Sequence, residues 1–354
     1  MLRGMHALLL TAPRQLTLEQ VPDPTPAPGE AVVQVAFAGI CGTDVELFIN
    51  DLSHYRLGYA KLPIVPGHEW TGTVVAVGSG VTNRKVGERV IAEVAIGCGA
   101  CRFCRAGHVN VCARRREVGI INQNGGFAQY ACIPAANLRP IGTLALEDAA
   151  LAEPAAVALN GCRQGRVAAP DRVLVVGSGP IGLLALQCAR ACGATFACVL
   201  DRSAERLRLA QRLGADAILD ASAYSPGELP ARALALTEEE GFDVILECAG
   251  AGALFPHLLP ALARRGRLVL IGCFQEQRPT LDPDQLVGGE RQIVGAVGGG
   301  TSYGDAVALL SSGKVQAPPL VTHRLPLAAG PAVLAGMAEH KGPAGALKIF
   351  LRPS

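Results

Sequence analysis

The sequence has little net charge and no long uninterrupted hydrophobic run. Lysine and arginine number 32 against 30 aspartate and glutamate residues, which gives a formal net charge of only +2. This balance gives no reason to expect a nucleic acid or an anionic membrane as a partner. The most apolar window, residues 181–200, is interrupted by Arg190 and Gly193. We therefore expect no membrane-spanning segment.

The N-terminal residues do not resemble a secretory signal. Their apolar run, residues 7–10, is shorter than the hydrophobic part of such a signal, and no small-residue cleavage site follows it. We therefore expect a cytoplasmic protein. In that reducing compartment the 12 cysteines are interpreted as metal ligands, catalytic thiols or core residues rather than as disulfides.

The length of 354 residues suggests about two domains, and the pattern of apolar and turn-forming residues changes along the chain. Residues 1–155 contain short β-branched runs, such as 31–37 and 73–77, broken by glycine and proline, which predict a mostly antiparallel β-rich body. In residues 156–293 continuous apolar runs alternate with helical segments, which predicts a parallel sheet covered by helices on both faces. Residues 294–354 return to a mixed pattern, and we expect them to pack on the first region.

A glycine-rich motif, Gly-Ser-Gly-Pro-Ile-Gly at 177–182, follows an apolar strand and opens a helix. Glycines at this spacing let the chain turn tightly and bring backbone N–H groups against a pyrophosphate, and the helix N-terminus adds partial positive charge. Proline suits the first turn of that helix. The predicted cofactor-binding residues of the turn are Gly177, Gly179, Pro180, Ile181 and Gly182.

Asp201 ends the next predicted strand and bears on the choice of cofactor. A carboxylate at this place accepts hydrogen bonds from the ribose hydroxyls and repels a 2′-phosphate, so it favours NAD over NADP. Arg202 follows directly and is of the type that accepts a 2′-phosphate, so NADP remains the second choice. Arg206, on the following helix, either flanks the adenine or is an exposed residue paired with Glu205 or Asp201.

Four cysteines form the spacing C-x2-C-x2-C-x7-C in a loop rich in glycine and arginine; they are Cys98, Cys101, Cys104 and Cys112. Four thiolates at this spacing predict one tetrahedral zinc with no open position, which is a structural site. An iron–sulfur cluster and a nucleic-acid-binding zinc finger are the alternatives. The arginine run at 114–116 is the one feature that favours a zinc finger, and we interpret it as a solvated face.

A second set of potential zinc ligands is dispersed along the chain and comprises Cys41, His68, Glu69 and Glu153. Thiolate, imidazole and carboxylate groups suit zinc, and three protein ligands leave a position open for a substrate. Taken singly, Cys41 also fits a core thiol, His68 a hydrogen-bonded turn residue and Glu153 an exposed helix start. Spacing alone does not join residues so far apart.

Together these motifs resemble those of the zinc-containing medium-chain alcohol dehydrogenases, especially the branch with sorbitol, glucose and L-threonine dehydrogenases. The resemblance covers the whole chain. It rests on Cys-Gly-Thr-Asp at 41–44, the Gly-His-Glu motif at 67–78, the four-cysteine loop, Glu-Pro at 153–154, the dinucleotide motif with Asp201, and Phe-Asp-Val-Ile-Leu-Glu-Cys at 242–248. It implies an α/β fold: a GroES-like catalytic domain (1–155 and 294–354) with a structural zinc lobe (97–113), and a doubly wound Rossmann domain for NAD (156–293).

The resemblance also implies a reaction, hydride transfer between a small secondary alcohol of the polyol or sugar-like class and NAD. One catalytic and one structural zinc per chain are implied. Cys41 and His68 would hold the catalytic ion, with Glu69, Glu153 and water as its exchangeable ligands. Thr43 matches the family's proton-relay position. A homotetramer is implied ahead of a dimer.

Two residue sets bear on the substrate. Glu46 stands where threonine dehydrogenases and many sorbitol dehydrogenases have histidine, which weakens an L-threonine 3-dehydrogenase assignment and leaves the proton exit route open. A simple secondary alcohol is a further alternative. The segment with His54, Tyr55 and Tyr59 either lines the substrate pocket or forms an ordinary surface loop.

Two competing hypotheses concern the protein as a whole. A zinc-free, NADP-linked aldehyde or quinone reductase of the same superfamily is opposed by the presence of Cys41 and His68. A non-catalytic zinc- and NAD-binding sensor is the alternative from another functional class. Such a sensor would keep the four-cysteine zinc and lack an exchangeable second metal.

Overall fold

The computed structural model describes residues 4–275 and 277–353 and divides them into two compact units. The first unit comprises the described residues of Met1–Glu153, Gly299–Ser311 and Ala317–Ser354, and the second comprises Pro154–Gly298 and Ser312–Gln316. In residues 4–275 and 277–353, no helix combines the length and apolarity needed to cross a bilayer.

The N-terminal part of the first unit is built mainly from strands. Its strands are β1 (Gly4–Ala12), β2 (Gln15–Pro22), β3 (Glu30–Gly39), β4 (Glu69–Val77), β5 (Arg89–Ala92), β6 (Ala95–Ile96), β7 (Arg116–Val118), β8 (Asn122–Gln123), β9 (Tyr130–Pro134) and β10 (Leu138–Pro140). Its helices are short: α1 (Gly42–Phe48), α2 (Ser53–Arg56), α3 (Arg102–Arg105) and α4 (Leu146–Ala149), with 3-10 turns at Val109–Val111 and Ala135–Asn137.

The middle of the chain alternates helices with strands. Its helices are α5 (Ala152–Gln164), α6 (Pro180–Ala191), α7 (Ala204–Arg212), α8 (Leu229–Ala235), α9 (Phe255–Ala261) and α10 (Pro283–Gly289), with a 3-10 turn at Pro226–Glu228. Its strands are β11 (Arg172–Val176), β12 (Phe196–Asp201), β13 (Ala217–Asp220), β14 (Phe242–Glu247), β15 (Leu262–Leu270) and β16 (Gln292–Gly295). The C-terminal elements are α11 (Tyr303–Ser311), β17 (Val321–Pro326), α12 (Gly330–Ala338) and β18 (Lys348–Arg352), with 3-10 turns at Pro318–Leu320 and Leu327–Ala329.

A seven-stranded sheet forms the body of the first unit, in the order β10-β5-β4-β3-β18-β17, with β9 also paired to β3. The pair β17–β18 is parallel, whereas the pairs that β3, β4, β5, β9 and β10 make are antiparallel. The β-branched residues of β3 alternate into the core, where Val33, Val35, Trp70 and Phe127 are buried together. C-terminal residues thus complete a sheet that begins in the first 40 residues.

The second unit contains a parallel six-stranded sheet in the order β13-β12-β11-β14-β15-β16. Its strands contain short continuous apolar runs, such as 173–176 and 244–246, which is typical of a sheet covered on both faces. The core includes Leu174, Val176, Ile245 and Leu268. Helices α6 and α7 end just before glycines in the left-handed region, Gly193 (φ 110°) and Gly214 (φ 103°). The predicted doubly wound parallel sheet and β-rich partner fold are confirmed.

Candidate metal centre and dinucleotide site

Cys41, His68 and Glu69 come together at one corner of the large sheet. Cys41 caps the N-terminus of α1 just after β3, Glu69 is the first residue of β4, and His68 directly precedes it. Since β4 pairs antiparallel with β3, with Glu69 opposite Gly39, the end of one strand lies beside the start of the other. One potential ligand atom from each of the three residues lies within 4.8 Å of the others.

These three donors fit a zinc ion. A tetrahedral zinc with bonds of about 2.0–2.3 Å separates its ligand atoms by roughly 3.5 Å, so the cluster needs only a small contraction to bind one. Thiolate sulfur, imidazole nitrogen and carboxylate oxygen are all zinc donors. Three such ligands leave one position for another oxygen atom.

Asp44 organises this cluster, although its role was not identified from the sequence. Its buried carboxylate accepts hydrogen bonds from the backbone N–H groups of Cys41 (2.9 Å) and Gly67 (3.3 Å) and lies 3.5 Å from His68 Nδ1. Burial acts to lower the pKa of His68, but the combined effects of Asp44 and Cys41 outweigh it and raise that pKa well above the ordinary value. A carboxylate behind an imidazole ligand fixes the ring orientation.

Lys348 holds the other side of the cluster and was also missed. Its Nζ lies 2.5 Å from Glu69 Oε2 and donates to the Ile40 carbonyl at 3.1 Å. The Lys348 side chain is 3% exposed and that of Glu69 is 1% exposed. Gly39 makes the room, since a Cβ there would lie 2.4 Å from Glu69 Oε2. A lone lysine in an apolar C-terminal strand gives no sequence signal for a partner 279 positions earlier.

Thr43 and Glu153 are placed differently with respect to this cluster. Thr43 Oγ1, on α1, lies 3.9 Å from Cys41 Sγ, so the predicted relay residue is beside the predicted ligand. Glu153 lies in the first turn of α5 and is 7% exposed. Burial raises its pKa to about 7, although the charge of His68 opposes that shift. Its carboxylate is outside the group of atoms that lie within 4.8 Å of one another.

The segment with His54, Tyr55 and Tyr59 forms α2 and the turn after it. The hydroxyl of Tyr55 donates to the Ile120 carbonyl at 2.7 Å, and burial raises the pKa of this tyrosine to about 12. Tyr59 is exposed. Tyr55 therefore anchors the segment, while Tyr59 remains accessible on it.

The four cysteines of the predicted structural site also meet, with their sulfurs within 4.8 Å of one another. Cys101 caps α3 and its Sγ accepts from the Cys104 N–H at 3.4 Å. Backbone hydrogen bonds from Ala100 and Cys101 lower the pKa of Cys98 to about 6. Arg114 donates to the same Cys98 sulfur at 3.4 Å. These bonds favour the thiolate form that a metal requires.

In the second unit, the three motif glycines show three separate structural requirements. Gly177 has φ +90°, a backbone conformation that residues with a side chain rarely adopt. A Cβ on Gly182 would lie 1.8 Å from the Gly177 carbonyl oxygen, so the helix packs too closely for a side chain. Gly179 has open space around it, directly before Pro180 and Ile181 begin α6. This arrangement leaves the helix N-terminus accessible to a pyrophosphate, and the turn fits a dinucleotide.

Asp201 reaches back to this turn from the end of β12. Its carboxylate accepts from the backbone N–H of Ser178 at 2.5 Å and of Ser203 at 2.8 Å. Burial acts to raise the pKa of Asp201, but these hydrogen bonds outweigh it and lower that pKa. Arg206 is partly buried in the first turn of α7, where its N–H donates to the N-cap hydroxyl of Ser203 at 3.3 Å.

Comparison with protein-family models gives two matches along the chain. Residues 27–143 match the alcohol dehydrogenase GroES-like domain, and residues 180–312 match the zinc-binding dehydrogenase domain. The first contains Cys41, His68, Glu69 and the four-cysteine loop. The second begins at Pro180, inside the dinucleotide motif.

Individual relatives and solved structures agree with these matches. The chain is 33% identical to D-altritol 5-dehydrogenase of Agrobacterium fabrum, over 91% of this chain and 93% of the relative. It is 37% identical to L-threonine 3-dehydrogenase of Saccharopolyspora erythraea, over 91% and 92%. A zinc-binding dehydrogenase from Sinorhizobium meliloti bound to NADP superposes with a TM-score of 0.91 at 30% identity, over 99% of both chains. A protein described as a short chain alcohol dehydrogenase from Escherichia coli, complexed with NADH, gives 0.89 at 30% identity, again over 99% of both. The chain therefore belongs to the zinc-containing medium-chain alcohol dehydrogenase family and is a dehydrogenase of its polyol and threonine dehydrogenase branch.

Proposed function

We propose that this dehydrogenase transfers a hydride between a small secondary alcohol of the polyol or sugar-like class and NAD, with one catalytic and one structural zinc per chain. The observation that carries the proposal is the convergence of Cys41, His68 and Glu69 within 4.8 Å. A second cluster of the same kind, the four cysteines, supports the count of two zincs.

In the catalytic site, Cys41 and His68 would hold the metal and Glu69 would be its third ligand. When bound there, zinc supplies a Lewis acid that polarises the substrate oxygen. Asp44 holds the imidazole of His68 in its orientation, and Lys348 holds one oxygen of Glu69. We assign Glu153 as a further exchangeable ligand. Its burial within the same unit, where its carboxyl group senses the charges of His68 and Glu69, supports that assignment.

Thr43 is assigned as the proton relay. Its hydroxyl stands 3.9 Å from Cys41 Sγ, within reach of an oxygen atom placed beside that sulfur. A threonine hydroxyl passes a proton on rather than keeping it, so an acceptor stands behind it. Thr43 is half-buried, which leaves one side open for such an acceptor.

For the cofactor we assign NAD, held by Gly177, Gly179, Pro180, Ile181, Gly182 and Asp201, with Arg206 beside the adenine. The lowered pKa of Asp201 keeps its carboxylate ionised at neutral pH, where it would repel a 2′-phosphate. We assign residues 156–293 as the NAD-binding domain, and residues 1–155 with 294–354 as the catalytic domain.

The substrate class has one specific rival. The 37% identity to an L-threonine 3-dehydrogenase favours L-threonine as the second candidate. Glu46 weighs against L-threonine, because it places an acid on α1 where threonine dehydrogenases have histidine. Many sorbitol dehydrogenases share that histidine, so Glu46 does not by itself select a polyol. The relative named D-altritol 5-dehydrogenase supports a polyol.

We further propose a cytoplasmic location and a homotetramer. Four cysteines that lie together as free thiols support a reducing compartment, since zinc requires them reduced. The tetramer rests on the resemblance to the sorbitol dehydrogenase branch.

The test combines turnover with metal content. The purified protein is assayed for NADH absorbance with NAD and polyols, aldoses, L-threonine and simple secondary alcohols, and its zinc is measured per chain. We expect two zincs and turnover of one polyol or sugar class. Cys41→Ala should abolish turnover and leave one zinc, whereas Cys273→Ala, at an exposed cysteine, should change neither. Turnover that survives Cys41→Ala would contradict the zinc mechanism, and a wild-type protein with one zinc and intact NADH binding would favour the sensor hypothesis.

A further inference from the structure

Glu247 ends β14 at the point of the parallel sheet where the strand order reverses. It lies opposite Val176, the last residue of β11, and β11 leads directly into Gly177. In a sheet with this order, β13-β12-β11-β14-β15-β16, dinucleotides bind across the carboxyl ends of the two central strands. Two loops therefore border the crevice: the turn that starts at Gly177 and the loop of residues 248–252 that follows Glu247.

The side chain of Glu247 is completely buried, and its carboxylate organises the loop that follows it. Its oxygens accept hydrogen bonds from the backbone N–H groups of Ala249 (3.0 Å), Gly250 (3.1 Å) and Ala251 (3.2 Å). Successive amides that point at one anion form a concave nest. Without this carboxylate the buried N–H of Gly250 and the two partly buried hydrogen bonds of Ala249 and Ala251 would lose their acceptor, which would cost free energy.

The loop is pressed against the dinucleotide turn on one side. A Cβ on Gly177 would lie 2.8 Å from the Cβ of Ala249, and Gly250 adopts φ +62°. On the other side, Gln277 clamps the loop: its Oε1 accepts from the Gly252 N–H at 2.9 Å, and its Nε2 donates to the Gly250 carbonyl at 3.0 Å. The position of the 248–252 loop is thus set by one buried acid and one amide side chain.

We propose that Glu247 is a positioning residue for the dinucleotide: its carboxylate fixes residues 248–251 beside the Gly177 turn and shapes the half of the crevice that receives the nicotinamide-side nucleotide. The assignment of the half follows from Asp201, which stands on β12 and marks the adenosine side. Strand β14 lies on the opposite side of the reversal point. The inference rests on the proposed NAD site.

Glu247→Gln tests the inference, because it keeps the shape of the side chain and replaces one acceptor oxygen by an NH2 group that faces backbone donors. We expect the Kd for NADH, measured by NADH fluorescence, to rise about tenfold. The Kd for 5′-AMP, measured by calorimetry, should stay within about twofold, because AMP occupies the adenosine side alone. Glu240→Gln is the matched control, since Glu240 is an exposed acid of the same unit paired with Arg172, and it should change neither constant.

Gln277→Ala provides a second, milder variant that leaves the buried acid in place. It should raise the Kd for NADH about threefold with the Kd for AMP unchanged, and it decides the question if Glu247→Gln does not fold. Unchanged NADH binding in a folded Glu247→Gln protein, or an equal loss for NADH and AMP, would overturn the positioning role. A wild-type protein that binds no NADH would instead refute the proposed NAD site.

Discussion

Lys348 Nζ lies 2.5 Å from Glu69 Oε2 on two strands that flank β3 in the interior of the first unit. The pair ties the C-terminal strand β18 to the residue that follows His68. Both charges are removed from water, so their mutual attraction and the additional bond from Lys348 to the Ile40 carbonyl must offset a large desolvation cost. A polar pair in this place fixes where the Glu69 carboxylate stands.

Lys348→Met should therefore destabilise the protein far more than removal of a surface lysine. Leaving Glu69 buried without its partner is expected to cost about 3–5 kcal/mol in the free energy of unfolding, measured by urea denaturation with bound zinc controlled. Adding Glu69→Gln to Lys348→Met should restore part of that loss, because the unpaired charge is removed.

The matched control is Lys341→Met, which breaks an exposed pair with Glu339 at 3.3 Å. Exposed pairs contribute about 0–1 kcal/mol, so this variant should unfold almost like the wild type. Equal destabilisation by the Lys348→Met and Lys341→Met variants would show that the buried pair has no special role.

Thr43→Val should lower kcat without weakening the binding of the cofactor. The substitution removes the hydroxyl beside Cys41 and keeps the β-branched shape, so about 10²- to 10⁴-fold of kcat should be lost if Thr43 relays the proton. Thr43→Ser keeps the hydroxyl and should retain most of the activity. The Kd for NADH should be the same in all three proteins, and a Thr43→Val enzyme with wild-type kcat would exclude the relay.

Cys98→Ser should remove one zinc and loosen the lobe around it. Few buried apolar residues hold residues 97–113 together, so the metal is expected to supply much of the local order. Zinc content should fall from two to one per chain, and trypsin should cleave faster at Arg102 and Arg105 in the lobe and at Arg114 beside it. Cys273→Ser is the control for loss of a cysteine outside the cluster. Unchanged zinc content in Cys98→Ser would contradict the structural assignment.

Local patterns in the sequence were sufficient to predict the two large sheets and the four-cysteine cluster. Cys41, His68 and Glu69 were joined only through the resemblance to a known family, and the residues that hold either cluster in place were not predicted. The runs at 31–37 and 242–247 can be identified as strands from their local pattern of apolar residues alone. Asp44 is different. Its bond to the Cys41 N–H is local, but its approach to His68 depends on the antiparallel pairing of β3 and β4. Lys348 depends on the addition of β18 to the same sheet, a pairing over some 300 residues that no local pattern encodes.

Glycine positions show the same distinction between local and long-range causes. The spacing of the motif predicts the tight turn at Gly177 and Gly182. The structure shows that the Gly177 carbonyl lies too close to Gly182 for a side chain there. Gly39 has no such motif. It is required because Glu69 Oε2 occupies the place of its Cβ, a fact that only the assembled sheet reveals.

Asp201→Asn should shift the cofactor preference towards NADP. The ionised carboxylate accepts hydrogen bonds, and each bond to a charged group contributes about 1.5–3 kcal/mol, so loss of the charge should reduce kcat/KM for NAD roughly 10- to 100-fold. The repulsion of a 2′-phosphate disappears at the same time, so kcat/KM for NADP should hold or rise.

Asp220→Asn provides the control for that shift, because Asp220 ends the neighbouring strand β13 opposite Asp201 and its carboxylate likewise accepts from a following backbone N–H, that of Ser222 at 2.9 Å. Both variants remove one negative charge from the same edge of the sheet. If only the overall electrostatic potential matters, the ratio of kcat/KM for NAD to kcat/KM for NADP should change equally in both variants. If Asp201 contacts the ribose hydroxyls, this ratio should change in Asp201→Asn alone. If Asp201→Asn keeps the wild-type ratio, the carboxylate does not select the cofactor, and its bonds to Ser178 and Ser203 serve only to hold the turn.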